Sequence, residues 1–294
     1  MLQIATESID LTMSKAVSKL YKEYGKNDSA HAFNSLYIWA KNMKLSIYLS
    51  PDLYAVKLND AGTNTWFFPV GKKAQKIDFI KNRLKDGEFS LRYMTREDTE
   101  FIRESFPECF QIKKAPNDCE YLYDRDTIEN LPGKVFSKKR TYVRQLLREH
   151  IFETKPLNEL TIPDVRYILG IWERNKEKNK EKEVNSNDKA AMQTILSAYS
   201  QMDVEGIVIY MDGIPCSAVA GYFLNDDTFD CCLQKSAINI NGLQYYIRKE
   251  FSLQRPINVA YYNWEEDLGI EGLKLSKKIM HPCGMVDMYT GKQL

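Results

Sequence analysis

The run from Gly206 to Ala237 constrains this chain more than any other stretch. It reads GIVIYM, then Asp212-Gly213, then IPCSAVAGYFL, then Asn225-Asp226-Asp227, then TFDCCLQKSA. An Asp-Gly pair between apolar segments supplies the two residues that tolerate the positive φ of a tight hairpin turn. Three segments rich in Val, Ile, Phe and Cys, joined by two such turns, predict three antiparallel strands. Helical spacing follows from Gly242 to Ser252. Beyond it, Ile257, Val259 and Tyr261 alternate along PINVAYY as in a strand. Leu268, Leu275 and Ile279 then recur at helical spacing until Pro282 forbids continuation.

The first half follows a similar plan. Met13, Val17, Leu20, Tyr21 and Tyr24 make one helical face, and a second helix is expected over 29–41. LSIYLS, LYAVKL and NTWFFPV read as three strands of an antiparallel meander, with a helix over 72–85, the strand FSLRYM, a short helix REDTEFIRESF and a strand around CEYLYD. The expected organisation is therefore an N-terminal α/β unit over 1–135, a connecting basic helix over 136–150 and a C-terminal α/β unit over 151–294. In the second unit, FETKPL predicts a strand, and helices carry Val165, Ile168 and Leu169 and then Met192, Ile195 and Leu196. Between these helices the run 173–189 is almost devoid of apolar residues, which predicts an exposed connection, as a loop or a frayed helical extension, or a lid.

Length and charge exclude several functions. A chain of 294 residues with 44% apolar content can build two ordinary cores. With 41 basic and 40 acidic residues there is no global field to recruit nucleic acid or an anionic surface, so any such binding needs a local patch. No run approaches the roughly 18 apolar residues of a membrane span, and the start lacks a leader pattern, so a cytoplasmic protein is expected. The six cysteines are scattered without a CxxC pair and only three histidines accompany them, which predicts reduced thiols and no metal site.

Two features carry potential chemistry. Glu265, Glu266 and Asp267 follow a strand end and precede a helix, the edge at which open α/β sheets bind ligands. The ordinary reading makes Asp267 a helix cap. Arg140, Arg144 and Arg148 fall at i, i+4 and i+8 and line one face, suited to phosphates of a cofactor or a tRNA acceptor end. Its ordinary reading is a solvated face opposite buried Val143, Leu146 and Leu147. His281, before Pro282, is either a base or a helix-end residue.

The strings EYLYDRDTIENLPGKVFSKKR, NDDTFDCCLQKSAININGLQYYIRKEF and NWEEDLGIEGLKLSKKIMHP occur in this order. They resemble the motifs of a family related to the soluble catalytic domain of phosphatidylglycerol lysyltransferases, over nearly the whole chain. The resemblance implies an α/β (α+β) fold of two tandem acyltransferase-type (GNAT-like) domains, each a mixed, mostly antiparallel sheet flanked by helices. It implies a soluble acyltransferase or aminoacyltransferase without a tightly bound cofactor. The donor would be an acyl-CoA or an aminoacyl-tRNA and the acceptor an unidentified amine or hydroxyl. By the same resemblance Lys235, Asn241, Gly242, Gln244 and Tyr245 border the donor, and Asn263, Glu266, Asp267 and Lys277 the reacting end. Two departures stand out. The turn KSAININGLQ has Gly242 as its single glycine, and Trp264 replaces a more polar residue. The alternative is a catalytically silent binding module of the same fold that recognises a nucleotide, a tRNA or a protein. Lipid lysylation by this chain alone is not expected, because no membrane-spanning part accompanies it.

Overall fold

The computed structural model describes residues 5–60, 63–178 and 185–294. The chain divides into two compact units, the first comprising 1–121, 265–279 and 284–294, the second 122–264 and 280–283. Each is built on a mixed sheet flanked by helices.

In the first unit the strands run in the order Glu7–Ser8, Leu45–Ser50, Leu53–Leu58, Thr65–Phe67, Ser90–Met94, Tyr289–Gln293 and Phe110–Lys114, with Val70–Gly71 branching from Leu53–Leu58. Only the pair Thr65–Phe67 with Ser90–Met94 is parallel; its neighbours are antiparallel. Alternation along Leu53–Leu58 and Ser90–Met94 turns Leu53, Ala55 and Leu91 into a core with Trp66, Phe79 and Ile102. Trp66 meets Phe79 edge to face at 5.1 Å, the arrangement that ring quadrupoles favour. The helix Arg96–Ser105 starts on a reciprocal capping box, in which Thr95 and Asp98 satisfy each other's backbone N-H.

In the second unit the order is Glu120–Asp124, Tyr261–Asn263, Thr228–Ser236, Ile214–Phe223, Glu205–Met211 and Phe152–Pro156. The Asp212-Gly213 hairpin forms as expected, with Asp212 and Gly213 both at positive φ. Thr228–Asp230 and Tyr261–Asn263 pair in parallel over three residues only. The helix Leu243–Leu253 covers the sheet, and its Phe251 packs on Phe229 at 5.5 Å.

Three expectations need correction. PINVAYY is a strand only from Tyr261, and Ile257 is 90% exposed. The cause is Arg125, whose guanidinium draws the carbonyls of Ser252, Arg255, Pro256 and Val259 onto itself, so the segment bends round a cation. Pro256, lacking an N-H, could not have joined a ladder there. Leu268 and Leu275 do not form a buried face: the helix is Glu271–Lys278, Leu268 lies in the loop before it, and the two are 53% and 61% exposed. On the helix Ser137–Glu149 only Leu146 is buried, while Leu147 is exposed. Part of the charged run is helical, since Ile162–Lys178 and Asn185–Ala198 extend into it; 179–184, where a lid was expected, lies outside the described residues. Among the described residues no helix is long and apolar enough to cross a membrane, and no cluster of metal-ligating side chains occurs.

The register shift between Ala220 and Tyr222 yields a stability prediction. A Cβ on Gly221 would lie 1.7 Å from the Asp230 carbonyl oxygen, so Gly221→Ala must push two paired strands apart. Loss of roughly 1–3 kcal/mol is expected, read as a lower urea midpoint for the second unit's unfolding; an unchanged midpoint would show that the bulge can open freely.

Candidate functional site

The acidic triplet occupies a loop whose backbone is held away from ordinary conformations. Glu265 and Leu268 lie at φ 52 and 53, and Gly269 at φ 73. Left-handed conformations at non-glycine residues cost about 1–3 kcal/mol each and persist only where the surroundings over-determine them. Here two side chains supply that determination. Lys277, on the helix Glu271–Lys278, is buried and places its ammonium on the carbonyl oxygens of Glu265, at 2.9 Å, and Glu266. Asp267 accepts the Gly269 N-H at 2.8 Å and the Tyr121 hydroxyl at 2.6 Å. Burial, and then the bond to Asp267, push the Tyr121 phenol up to about 12, so it stays a donor throughout the ordinary pH range.

Asp267 is therefore a buried brace for the loop, and the helix begins instead at Ile270, without a side-chain cap. Glu266 is different. It is half-buried, and around it in the same unit stand Lys277, Asp118 and Arg92. Arg92 is itself held by Asp118, donating from Nη2 to both carboxylate oxygens at 2.9 and 3.1 Å, and its guanidinium lies 4.9 Å from the Tyr93 ring. Tyr93 is a further non-glycine residue at positive φ, 51°. Burial holds the Glu266 carboxyl above its usual range, the charge of Asp118 adds to that, and Lys277 and Arg92 oppose it. A carboxylate made more basic beside fixed cations is the local chemistry of a general base.

The residues expected at the reacting end thus divide. Glu266, Asp267 and Lys277 come together in the first unit, whereas Asn263 is a buried residue at the end of Tyr261–Asn263 in the second. Arg92, Asp118, Tyr93 and Tyr121 were not singled out from the sequence, because they lie in ordinary strand and loop contexts far along the chain. His281 is exposed, at φ 50, with its ring 5.2 Å from Phe136.

The residues expected to border the donor all lie in the second unit. Gly242 precedes the helix Leu243–Leu253 at φ 96, and a Cβ there would lie 2.8 Å from the backbone of Tyr142. The glycine is thus required by the approach of the helix Ser137–Glu149. Asn241 and Gln244 are exposed on either side, and Tyr245 is buried. Lys235 forms an ion pair with Asp188 at 2.7 Å and lies 4.5 Å from the Trp172 ring. Beyond the three-residue parallel ladder, the Gln234 side-chain oxygen accepts from Arg248 Nε at 2.9 Å and Trp264 Nε1 at 3.2 Å. The Arg248 guanidinium lies 4.7 Å from the Trp264 ring. Trp264, where a polar residue was expected, thus shares the Gln234 oxygen with Arg248.

The basic stripe is also divided. Arg140 donates to the carbonyls of Leu131 and Gly133, closing the turn before its own helix, whereas Arg144 and Arg148 are exposed. The described cysteines are all free thiols, with Cys119, Cys216 and Cys231 buried.

A family model described as phosphatidylglycerol lysyltransferase, C-terminal, matches residues 21–290. Among solved structures, a conserved protein of unknown function from Bacteroides thetaiotaomicron is 21% identical, covering 99% of this chain and 100% of its own, with a TM-score of 0.90. The C-terminal domain of a protein named as a lysylphosphatidylglycerol synthetase, from Agrobacterium fabrum, is 12% identical over 97% of this chain and 93% of its own, TM-score 0.65. L-PGS from Bacillus licheniformis is 13% identical over 98% and 93%, TM-score 0.63. No curated protein matches. The α/β fold read from the sequence, two mixed and mostly antiparallel sheets flanked by helices, is the fold present.

The environment of Glu266 sets a pH-dependent stability. Its folded carboxyl holds a proton more tightly than an unfolded one near 4.5, so the native protein loses stability as pH rises from below that value through the folded value. Glu266→Gln has no proton to lose there. Urea midpoints should favour the variant increasingly as pH rises from about 4 to about 8; a difference independent of pH would mean that the carboxyl titrates alike in both states.

Proposed function

The chain belongs to the family of phosphatidylglycerol lysyltransferase C-terminal domains, and from that premise we propose that it is an aminoacyltransferase, taking its acyl group from an aminoacyl-tRNA and passing it to an amine or hydroxyl. The observation that carries this reading is Glu266, a basic carboxylate on a strained loop between Lys277 and Arg92. In the reaction, the acceptor nitrogen or oxygen forms a bond to the acyl carbonyl carbon and loses a proton to Glu266. The ester bond to the terminal ribose breaks, and the ribose oxygen leaves with a proton. Lys277 and Asp267 act by positioning, since both are spent on holding the loop.

Two features favour aminoacyl-tRNA over acyl-CoA as the donor. A thioester cofactor of this fold rests its pyrophosphate on a glycine-rich turn whose backbone N-H groups face the ligand, and here Gly242 instead accommodates the backbone of Tyr142. The neighbouring helix presents Arg144 and Arg148 to solvent, with Lys138 on the same helix. We assign Asn241 and Gln244, exposed beside Gly242, to contact with the donor's terminal nucleotide, and Lys235, Asn263 and Tyr245 to the shape of the same region.

The test is transfer from tRNA charged with radiolabelled amino acids into a cell-extract acceptor pool, with release of free thiol from acyl-CoA as the competing assay. Glu266→Gln should lower turnover by roughly 10²- to 10⁴-fold, the usual size of general-base assistance, without lowering the melting temperature. Full turnover in that variant would remove the base from the proposal. Failure of both donors in the native protein would leave the fold as a binding module.

Binding offers a second check. Arg144→Gln with Arg148→Gln should weaken tRNA binding and make its salt dependence shallower by about 0.7 to 0.9 log units per lost phosphate contact. Arg140 is left in place because it closes a turn. An unchanged slope would return this face to plain solvated surface.

A further inference from the structure

The acidic loop of the first unit is flanked by a short 3-10 helix, Pro116–Asp118, to which the transfer step assigns no part. Two contacts dock this turn on the loop. A Cβ on Gly269 would lie 2.7 Å from the Asn117 side-chain nitrogen, so Asn117 lies against the loop backbone. Further along, the Tyr121 N-H donates to the Glu265 carbonyl at 3.1 Å. The turn is also anchored at its start, where Ala115 donates its N-H to the Met288 carbonyl at 2.8 Å and accepts the Asp118 N-H at 3.0 Å. Asp118 is therefore carried at a fixed place beside the loop.

Arg92 comes to the same place from the strand Ser90–Met94. Its Nη2 donates to both Asp118 oxygens, at 2.9 and 3.1 Å, and its guanidinium lies 4.9 Å from the Tyr93 ring. A planar cation held at one edge by a carboxylate and over a ring has little freedom to turn to another acceptor. Among the described residues the carboxylate at ion-pair distance from Arg92 is that of Asp118, although Glu266 also lies within reach of its charge. Glu266 faces Lys277 from the helix Glu271–Lys278, Arg92 and Tyr93 from the strand Ser90–Met94 and Asp118 from the turn, with Glu265 and Asp267 beside it in the chain. Lys277 places its ammonium on backbone carbonyls, Asp267 accepts from Tyr121 and Gly269, and burial keeps the Tyr93 phenol protonated. The partner that Arg92 takes then decides how much positive charge reaches Glu266.

We propose that Asp118 is a positioning residue for the transfer reaction: by holding Arg92 on its own two oxygens and against Tyr93, it keeps the guanidinium from closing on Glu266 and leaves that carboxylate able to take the acceptor's proton. The proposal rests on the reading of Glu266 as the base. Asp118 acts through Arg92 and through its own charge, and both act with the same sign. Its charge disfavours a second anion nearby, and its grip on Arg92 withholds the cation that would favour one. Removing the carboxylate frees Arg92 to pair with Glu266, whereas removing the guanidinium leaves two carboxylates facing each other. The two members of one ion pair thus have opposite effects on Glu266.

The experiment is a carboxyl-carbon NMR titration of the full chain labelled in its glutamates, with the Glu266 signal assigned by its loss in Glu266→Gln. Asp118→Asn should move the Glu266 titration to lower pH, and Arg92→Gln should move it to higher pH. Asp118→Glu, which restores a carboxylate, should return it toward the native position. In transfer assays the acidic limb of the kcat/KM profile, which reports the base of the free enzyme, should move in the same two directions. Asp118→Asn should also lower turnover roughly 10-fold, a part of what general-base assistance supplies. A purely structural ion pair behaves otherwise: both variants lower the melting temperature and move the titration alike or not at all. That outcome overturns the proposal. Where Asp118→Asn does not fold, Arg92→Gln and Asp118→Glu decide, since a titration that does not rise in the first, or that departs from the native one in the second, overturns it equally. Reading the carboxyl itself separates this inference from the function it rests on. Opposite displacements with full turnover in Glu266→Gln would remove the base and keep the positioning; no displacement with a slow Glu266→Gln would remove the positioning and keep the base.

Discussion

A lysine ammonium taken out of water sets the shape of the acidic loop. Lys277 has its charge on two successive carbonyls, those of Glu265 and Glu266, and a buried cation leaves such acceptors only at a cost of several kcal/mol. That single demand explains three features together. The backbone must turn its carbonyls inward, which places Glu265 at positive φ. The rotation of the helix Glu271–Lys278 is fixed by its lysine, so Leu275 is left to solvent. And Glu266, held through its carbonyl, is left half-buried and not fully enclosed.

The same logic separates the acids of the first unit by what they are bonded to. Asp267 is closed by Tyr121 and the Gly269 N-H, Glu120 by Ser29, and Asp118 by Arg92. Each is a carboxylate whose oxygens already accept from donors of its own unit. Glu266 has charges around it but its dominant influence is burial, which acts against ionisation. A reader of the sequence sees three equivalent acids in a row; in the structure Glu265 takes a positive φ, Glu266 is half-buried among charges and Asp267 braces the loop.

This is also why the fold was legible in the sequence and the site only in part. Strands such as Glu205–Met211 and Leu53–Leu58 announce themselves because burial repeats every second residue and the turns between them use Asp, Asn and Gly at fixed places. Nothing local announces Arg125, which bends PINVAYY away from a strand from 131 residues earlier in the chain. The final strand Tyr289–Gln293 inserts between Ser90–Met94 and Phe110–Lys114, a long-range pairing that five residues of ordinary polarity do not encode. Arg92, Asp118 and Tyr121 reach the acidic loop by the same kind of distant pairing. The family resemblance named Glu266 and Lys277 together, but which of their atoms are hydrogen-bonded is visible only in the structure.

In the second unit, Trp264 shows how one side chain ties its neighbours together. The parallel ladder ends at Asp230 and Asn263, and the next side chains on the two strands' continuations are tied by Gln234, which accepts from both Trp264 and Arg248. A guanidinium stacked on an indole is stabilised by the ring face and keeps its N-H edges directed sideways. Burial lowers the Arg248 pKa, and a guanidinium keeps its charge inside proteins. With the indole present, Gln234 accepts from both Arg248 and Trp264, while Asn241 and Gln244 stand exposed beside Gly242. The turn itself answers to packing, since Gly242 lies where the backbone of Tyr142, on the helix Ser137–Glu149, leaves no room for a Cβ.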